Sequence, residues 1–222
     1  MIDLHIHTIF SDGELIPSEV VSRCREKGYR ALALTDHVDS SNLEHVLTNM
    51  VRVCGDLTRE SGLTVLPGVE ITHVPPSMIP ALIEESRRLG AVVVVVHGET
   101  IVEPVPPGTN RAAIEGNCDI LAHPGLISRE EVRLAAEKGV SLEITSRGGH
   151  SYTNGHVAKL AREEGAPLVF NTDSHAPRDF VTKESAVKIL SGAGLTGEEI
   201  SEIFTRSEEI VRRGVEAWQR RG

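Results

Sequence analysis

The chain has 222 residues, 40% hydrophobic and 25% charged, ordinary values for a folded globular protein. At this length about 70% of the unfolded surface can be buried, so no disulfide or structural metal is needed and disorder is excluded. Lys and Arg number 23 against 32 Asp and Glu, a net charge of -9, and there are only four Phe, two Tyr and one Trp; this disfavours sequence-independent binding of long nucleic acids and leaves little material for base stacking.

In chain order the sequence predicts strands at Ile2–His7, Arg30–Thr35, Leu63–Ile71, Ala91–Val96, Asp119–Ala122, Ser141–Thr145 and Pro167–Asn171. Amphipathic stretches between them predict helices at Ser18–Lys27, Leu43–Arg59, Ser77–Leu89, Ser128–Lys138 and Asn154–Glu164. The first follows Pro17 and stops at Gly28, and others stop at Gly90, Gly139 and Gly165, which is good start and stop chemistry. This alternation is the βα pattern of a parallel sheet. Leu63–Val69 and Ala91–Val96 are apolar at nearly every position, as strands covered on both faces are, so the α/β fold is a closed barrel or a doubly wound sheet. Glu103–Asn110, with Pro104, Pro106, Pro107 and Gly108, reads as a rigid loop, and Thr196–Arg220 as two charged helices packed at one end. With no repeat and no linker, one domain over residues 1–222 is expected.

The three cysteines, Cys24, Cys54 and Cys118, form no CxxC pair, so neither a disulfide framework nor a thiolate zinc site is indicated. The longest apolar run, Ala91–Val96, is far below the roughly 20 residues of a membrane helix, and the start carries no basic segment. A cytoplasmic protein with no membrane partner is expected.

Ten histidines stand out, and His5, His7, His37, His97, His123 and His175 fall at or just beyond the C-terminal tips of predicted strands. Chance would place about one there if tips make up roughly a tenth of a chain. Asp36, Glu70, Glu143 and Asp173 share those positions. Parallel βα folds gather such tips on one face, where active sites are built. In His5-Ile6-His7 the imidazoles project from the same side of a strand, about 7 Å apart along the backbone, and Asp173-Ser174-His175 repeats the spacing with a carboxylate. Imidazole and carboxylate without thiolate suit Zn, Mn or Fe.

The segments DLHIHT with SDG, LTDH, PGVEI, VHGE, LAHPG and NTDSHAP, from residue 3 to residue 177, resemble the motifs of the PHP family, the polymerase and histidinol phosphatase metal-dependent phosphoesterases. The resemblance implies a distorted (βα)7 TIM-like barrel with up to three divalent metals. His5, His7, Glu70 and Asp173 would hold the first ion, Glu70 with His97 and His123 the second, and Asp12, His37 and His175 the third. Some members carry histidine at the position of Asp12. Glu70, His97, Asp173 and His175 are then the catalytic candidates.

The reaction expected is hydrolysis of a small phosphomonoester, best guess histidinol phosphate, by hydroxide held between ions of a trinuclear site. Arg147 and Arg178, and less so Arg111, are placed to grip phosphate oxygens, because the guanidinium fork matches them. Asp36, Glu143 and Asp179 read as carboxylates that orient ligand histidines. Glu99 reads equally as structural or functional. His45, His150 and His156 read as surface or hydrogen-bonded histidines, and His73 as possible pocket lining. The rival activities are a nucleotide or short-oligonucleotide phosphoesterase, a metal-dependent amidohydrolase and a non-catalytic metal-binding module. The absence of a carboxylated-lysine candidate where His97 stands weighs against the amidohydrolase.

Overall fold

A computed structural model describes residues 1–220. Eight strands alternate with eight α-helices in the order β1 (Ile2–Asp3), α1 (Pro17–Glu26), β2 (Ala31–Leu34), β3 (His37–Val38), α2 (Leu43–Ser61), β4 (Thr64–Ile71), α3 (Ile79–Leu89), β5 (Val93–His97), α4 (Thr109–Glu115), β6 (Ile120–Ala122), α5 (Arg129–Lys138), β7 (Ser141–Thr145), α6 (Asn154–Glu164), β8 (Leu168–Asn171), α7 (Lys183–Gly192) and α8 (Gly197–Gln219). Every pairing is parallel, and the spatial order is β1-β2-β4-β5-β6-β7-β8, with β3 beside β4. β2 and β3 meet β4 in one continuous register, Leu34 opposite Pro67 and His37 opposite Glu70, so they are a single strand interrupted at Thr35 and Asp36. The principal strands are therefore the seven expected from the sequence.

The two ends of the sheet meet. Ile6 bridges Ser174 in parallel, and His7 N donates to Ser174 O at 2.9 Å. Leu4 N donates to Asn171 Oδ1 at 2.8 Å, and the Asp3 carboxylate accepts from Thr172 N at 3.2 Å and Thr172 Oγ1 at 2.5 Å. Side-chain bonds supplement a single backbone bridge at this seam, and the barrel closes in distorted form.

Strand alternation sorts the core into two layers. Ala31, Ala33, Val93, Val95, Ile120, Ala122 and Val169 fill the inside, while Leu32, Leu34, Val94, Val96, Leu121 and Leu142 face the surrounding helices. Each of the larger buried side chains stabilises the fold by about 1.5–3 kcal/mol relative to exposure. α8 covers one end of the inner layer with Ile210, Val211, Val215 and Trp218. Its Gly214 lies against Leu66 and Val92, where a larger residue would hold the helix away.

Three elements differ from the sequence expectation. Thr196–Arg220 gives one 23-residue helix, not two, because Gly214 serves packing and the hydrogen-bonded ladder runs through it. α4 begins at Thr109, at the end of the stretch read as loop, and α7 was not anticipated. Among the described residues no helix is long and apolar enough to cross a membrane.

Candidate metal centre

The strand tips carry the polar side chains to one face. His5 and His7 follow β1, Asp12 sits in the loop beyond them, His37 opens β3, Glu70 lies near the end of β4, His97 ends β5, His123 follows β6, and Asp173 and His175 follow β8. His5, His7, Glu70, His97, His123 and Asp173 are buried, against the normal preference of such groups for water. His73, His123 and Asp173 adopt positive φ of 54°, 26° and 52°, a strained region for residues with a side chain. Gly98, directly after His97, approaches the Ala122 carbonyl and Pro124 so closely that a Cβ would overlap them.

Glu70 is the hub. Its Oε1 lies 3.3 Å from His5 Nε2 and 3.7 Å from His123 Nε2, and its Oε2 lies 2.7 Å from His37 Nδ1 and 3.5 Å from His7 Nε2. Asp173 Oδ1 is 3.1 Å from His7 Nε2 and 3.7 Å from His5 Nε2, and its Oδ2 is 3.6 Å from His123 Nε2. Asp12 Oδ1 is 3.2 Å from His175 Nε2 and 3.5 Å from His37 Nε2. The structure thus brings together donor sets His5/His7/Glu70, His5/His123/Asp173 and His7/Asp12/His37/His175, each within 4.8 Å. His97 and His123 form such a set with His150.

The carboxylates behind the rings fix which nitrogen faces the centre. Glu143 Oε1 takes His5 Nδ1 at 2.9 Å, and the Asp173 carbonyl takes His175 Nδ1 at 3.0 Å. These partners only accept, so each Nδ1 carries a hydrogen and Nε2 is the nitrogen turned toward Glu70 or Asp12. His5 Nε2, both ring nitrogens of His7, His123 Nδ1, Glu70 Oε1 and Asp173 Oδ1 are buried with no hydrogen-bond partner among the described residues. Buried acceptors that face one another without a hydrogen between them are costly, and a cation removes that cost. The donor chemistry therefore fits divalent metal.

The protonation pattern follows from the same crowding. Burial and the neighbouring imidazoles, His37 above all for His7 and His97 for His123, hold both rings well below their usual pKa. Burial also pulls on His5, but the carboxylates of Glu143, Glu70 and Asp173 outweigh it and leave that ring well above its usual value. Burial would raise Glu70, yet His5 and His37 beside it draw it well below the carboxylate range, whereas burial dominates at Asp173 and raises it.

A cleft of about 700 Å³ opens over these groups, lined in part by Asp12, His37, His97, Asp173, His175 and Arg147. Arg147 donates to Asp179 Oδ2 at 3.1 Å, and the same oxygen accepts from His175 N at 3.0 Å and Ala176 N at 2.9 Å.

A model of the PHP domain matches residues 3–113. The chain belongs to the PHP domain family. It is 46% identical over 95% of its length, and 98% of the other's, to an uncharacterized protein of Methanocaldococcus jannaschii. To a Shewanella halifaxensis protein named "Probable phosphatase" it is 30% identical, over 85% of this chain and 84% of that one. In fold it is similar to the histidinol phosphate phosphatase of Lactococcus lactis complexed with zinc, L-histidinol and phosphate, with a TM-score of 0.59, 16% identity, and coverage of 88% of this chain and 94% of that one.

Within this PHP chain the other residues singled out in the sequence divide clearly. Arg178 is 76% exposed and reaches Glu14 at 3.4 Å, and Arg111 faces Glu115 along α4; neither lines the cleft. Asp36 accepts from Thr8 N, Thr8 Oγ1 and Ser11 Oγ, and so shapes the loop between His7 and Asp12. Glu99 is structural, its carboxylate accepting from Gly108 N at 2.9 Å and Asn110 N at 3.0 Å at the start of α4. His73 lines the cleft, while His156 is taken up by the Ile127 carbonyl. The three cysteines are buried thiols, and burial pushes the pKa of each up.

Two residues beside the centre were not among the sequence candidates. His150 is buried, and its ring stacks on His123 with centroids 4.1 Å apart. Glu103 meets His97 Nε2 at 3.0 Å. Both stand in loops that follow strands β7 and β5, and extending the tip rule from a strand's last residues to its whole following loop would have found them.

Proposed function

We propose that this chain is a metal-dependent phosphoesterase that hydrolyses a small phosphomonoester, working as one barrel domain, with histidinol phosphate as the first substrate to try. The observation that carries the reading is the set of buried imidazole nitrogens and carboxylate oxygens that converge without hydrogen-bond partners, beneath a cleft holding Arg147. His5, His7, Glu70 and Asp173 would hold one divalent cation, Glu70, His97 and His123 a second, and Asp12, His37 and His175 a third. Imidazole with carboxylate suits zinc, manganese or iron. The chemistry such cations supply is Lewis-acid polarisation of a phosphoryl group and a lowered pKa for attacking water.

The remaining work belongs to side chains. Arg147 commits one nitrogen to Asp179 and keeps other N–H groups for phosphate oxygens in the fork geometry that suits them. Asp179, by also accepting the His175 amide, fixes that guanidinium relative to the metal-ligand candidates. Asp39 lines the cleft and is held below the usual carboxylate range by the Ser41 hydroxyl and amide, so it stays anionic. A cationic leaving group such as an amino alcohol complements it, which favours histidinol phosphate among small monoesters. Glu70, His97, Asp173 and His175 are the residues whose replacement should stop turnover.

Phosphate release across histidinol phosphate, nucleoside monophosphates and short oligonucleotides, before and after chelation, tests the reading. Release from a small monoester that chelation abolishes and added metal restores is expected. Hydrolysis indifferent to chelation, or no release from any monoester, would discard it.

A further inference from the structure

Glu103 stands on the Pro-rich loop between β5 and α4 and presents its carboxylate to three imidazoles. Its Oε2 lies 3.0 Å from His97 Nε2 and 3.5 Å from His73 Nε2, and its Oε1 lies 3.5 Å from His150 Nε2. The rings come from separate places in the chain: His73 after β4, His97 at the tip of β5, and His150 after β7. His97 Nδ1 lies 3.1 Å from the Gly98 carbonyl oxygen, which only accepts. In the neutral ring that nitrogen carries the hydrogen, so Nε2 turns a lone pair onto a carboxylate that has none to give. His150 Nδ1 is occupied by Thr100 Oγ1 at 2.8 Å, which leaves its Nε2 for Glu103.

A single proton bridges one such contact, whereas a divalent cation satisfies all of them. Two of the three separations match a shared ion, since zinc bonds of about 2.0–2.2 Å to nitrogen and oxygen put tetrahedral ligand atoms roughly 3.3–3.6 Å apart; the 3.0 Å contact with His97 would have to open by a few tenths of an ångström. His123 adds an independent sign. It is buried against His150, brings a ring nitrogen within 4.8 Å of those of His97 and His150, and keeps Nδ1 without a partner among the described residues. The loop is also held in place, since the Glu99 carboxylate and Asn110 side chain tie its two ends together and Pro104, Pro106 and Pro107 restrict its backbone.

We propose that Glu103 and His150 are ligands of the cation position of His97 and His123, with His73 at its edge, so that the Pro-rich loop closes this position from the cleft side with a carboxylate. The inference rests on the metal-dependent reading above and adds ligands to one of its positions.

Titration of Zn²⁺ against a competing chromophoric chelator, metal analysis of the dialysed protein, and the visible spectrum of the Co²⁺-loaded protein test it without reference to turnover. Glu103→Gln and His150→Asn should each weaken one equivalent by about tenfold or more, leave the other equivalents as in the wild type, and change the Co²⁺ absorption of that one. Glu103 is on an exposed loop, so its variant folds even if the His150 variant does not. Wild-type affinity at every equivalent and an unchanged Co²⁺ spectrum in Glu103→Gln would overturn the inference, while loss of metal in Glu70→Gln would show that the underlying reading survives. A wild-type chain that takes up no divalent metal would overturn both.

Discussion

Glu143 is buried on β7 and accepts from three directions: His5 Nδ1 at 2.9 Å, Asn171 Nδ2 at 2.8 Å and His123 N at 3.2 Å. It fixes the tautomer of His5 and the backbone that carries His123, without being one of the central donors. Glu143→Gln keeps an acceptor but removes the charge that favours the Nδ1 hydrogen. A loss of about 10–100-fold in metal affinity with little change in Tm is expected, as is usual for groups that orient metal ligands; an unchanged affinity would show that His5 needs no such support. His5 also makes proton movement measurable. Because burial is outweighed there by Glu143, Glu70 and Asp173, the ring binds a proton readily, and a cation must expel it. Protonation opposes metal binding, so affinity should fall as pH drops, and binding should release a proton from this ring even at pH values above the ordinary imidazole range. Calorimetry in buffers of different ionisation enthalpy reads this directly, and zero net release throughout would rule it out.

α8 shows what one element gains from its ends. Thr196 Oγ1 accepts from Glu199 N at 3.3 Å, and Glu199 Oε2 accepts from Thr196 N at 2.7 Å, a complete capping box. The same carboxylate receives Arg162 Nε at 2.5 Å and Nη2 at 2.8 Å, joining α8 to α6. The Arg162 bonds first, and the Thr196 amide second, draw Glu199 from its ordinary 4.5 to about 2. The folded state therefore keeps the charge where the unfolded chain has lost it, so this contribution is full above about pH 4.5 and disappears as pH falls toward 2. Glu199→Gln should cost about 1–2 kcal/mol near neutrality, with the gap to wild type closing in acid. Thermal unfolding at several pH values checks it, and a pH-independent gap would mean that the carboxylate's charge is irrelevant. The start of this helix was legible in Thr196 and the following acids. Its continuity was not, and only the structure shows Gly214 inside the helix, against Leu66 and Val92.

Closure of the barrel depends on side-chain bonds beside the one backbone bridge of Ile6 with Ser174. Asn171 accepts from Leu4 N and donates to Glu143, so it joins β1 and β7 while standing at the end of β8. Asn171→Ala leaves a buried amide and a buried carboxylate oxygen each short of one bond, and should cost about 2–4 kcal/mol. Because Glu143 also holds His5, metal affinity should fall with it. Denaturant unfolding and metal titration of the same variant test the two together; lost stability with intact metal affinity would uncouple the seam from the site.

The pattern of apolar runs and glycine stops was sufficient for a parallel α/β fold of about seven units, because hydrophobic periodicity and helix termination are local properties; the choice of a barrel over a doubly wound sheet came from the resemblance to the PHP motifs. The position of His5, His7, His37, Glu70, His97, His123, Asp173 and His175 at strand tips was equally legible, since parallel topology sends all tips to one face. Other features required the folded molecule. Whether Glu103 and His150 join the centre depends on how far two loops bend inward, and loop paths are set by long-range contacts such as that of His150 with Thr100. The division between Arg147, in the cleft, and Arg178 and Arg111, outside it, rests on side-chain direction, which the periodicity of the sequence does not encode.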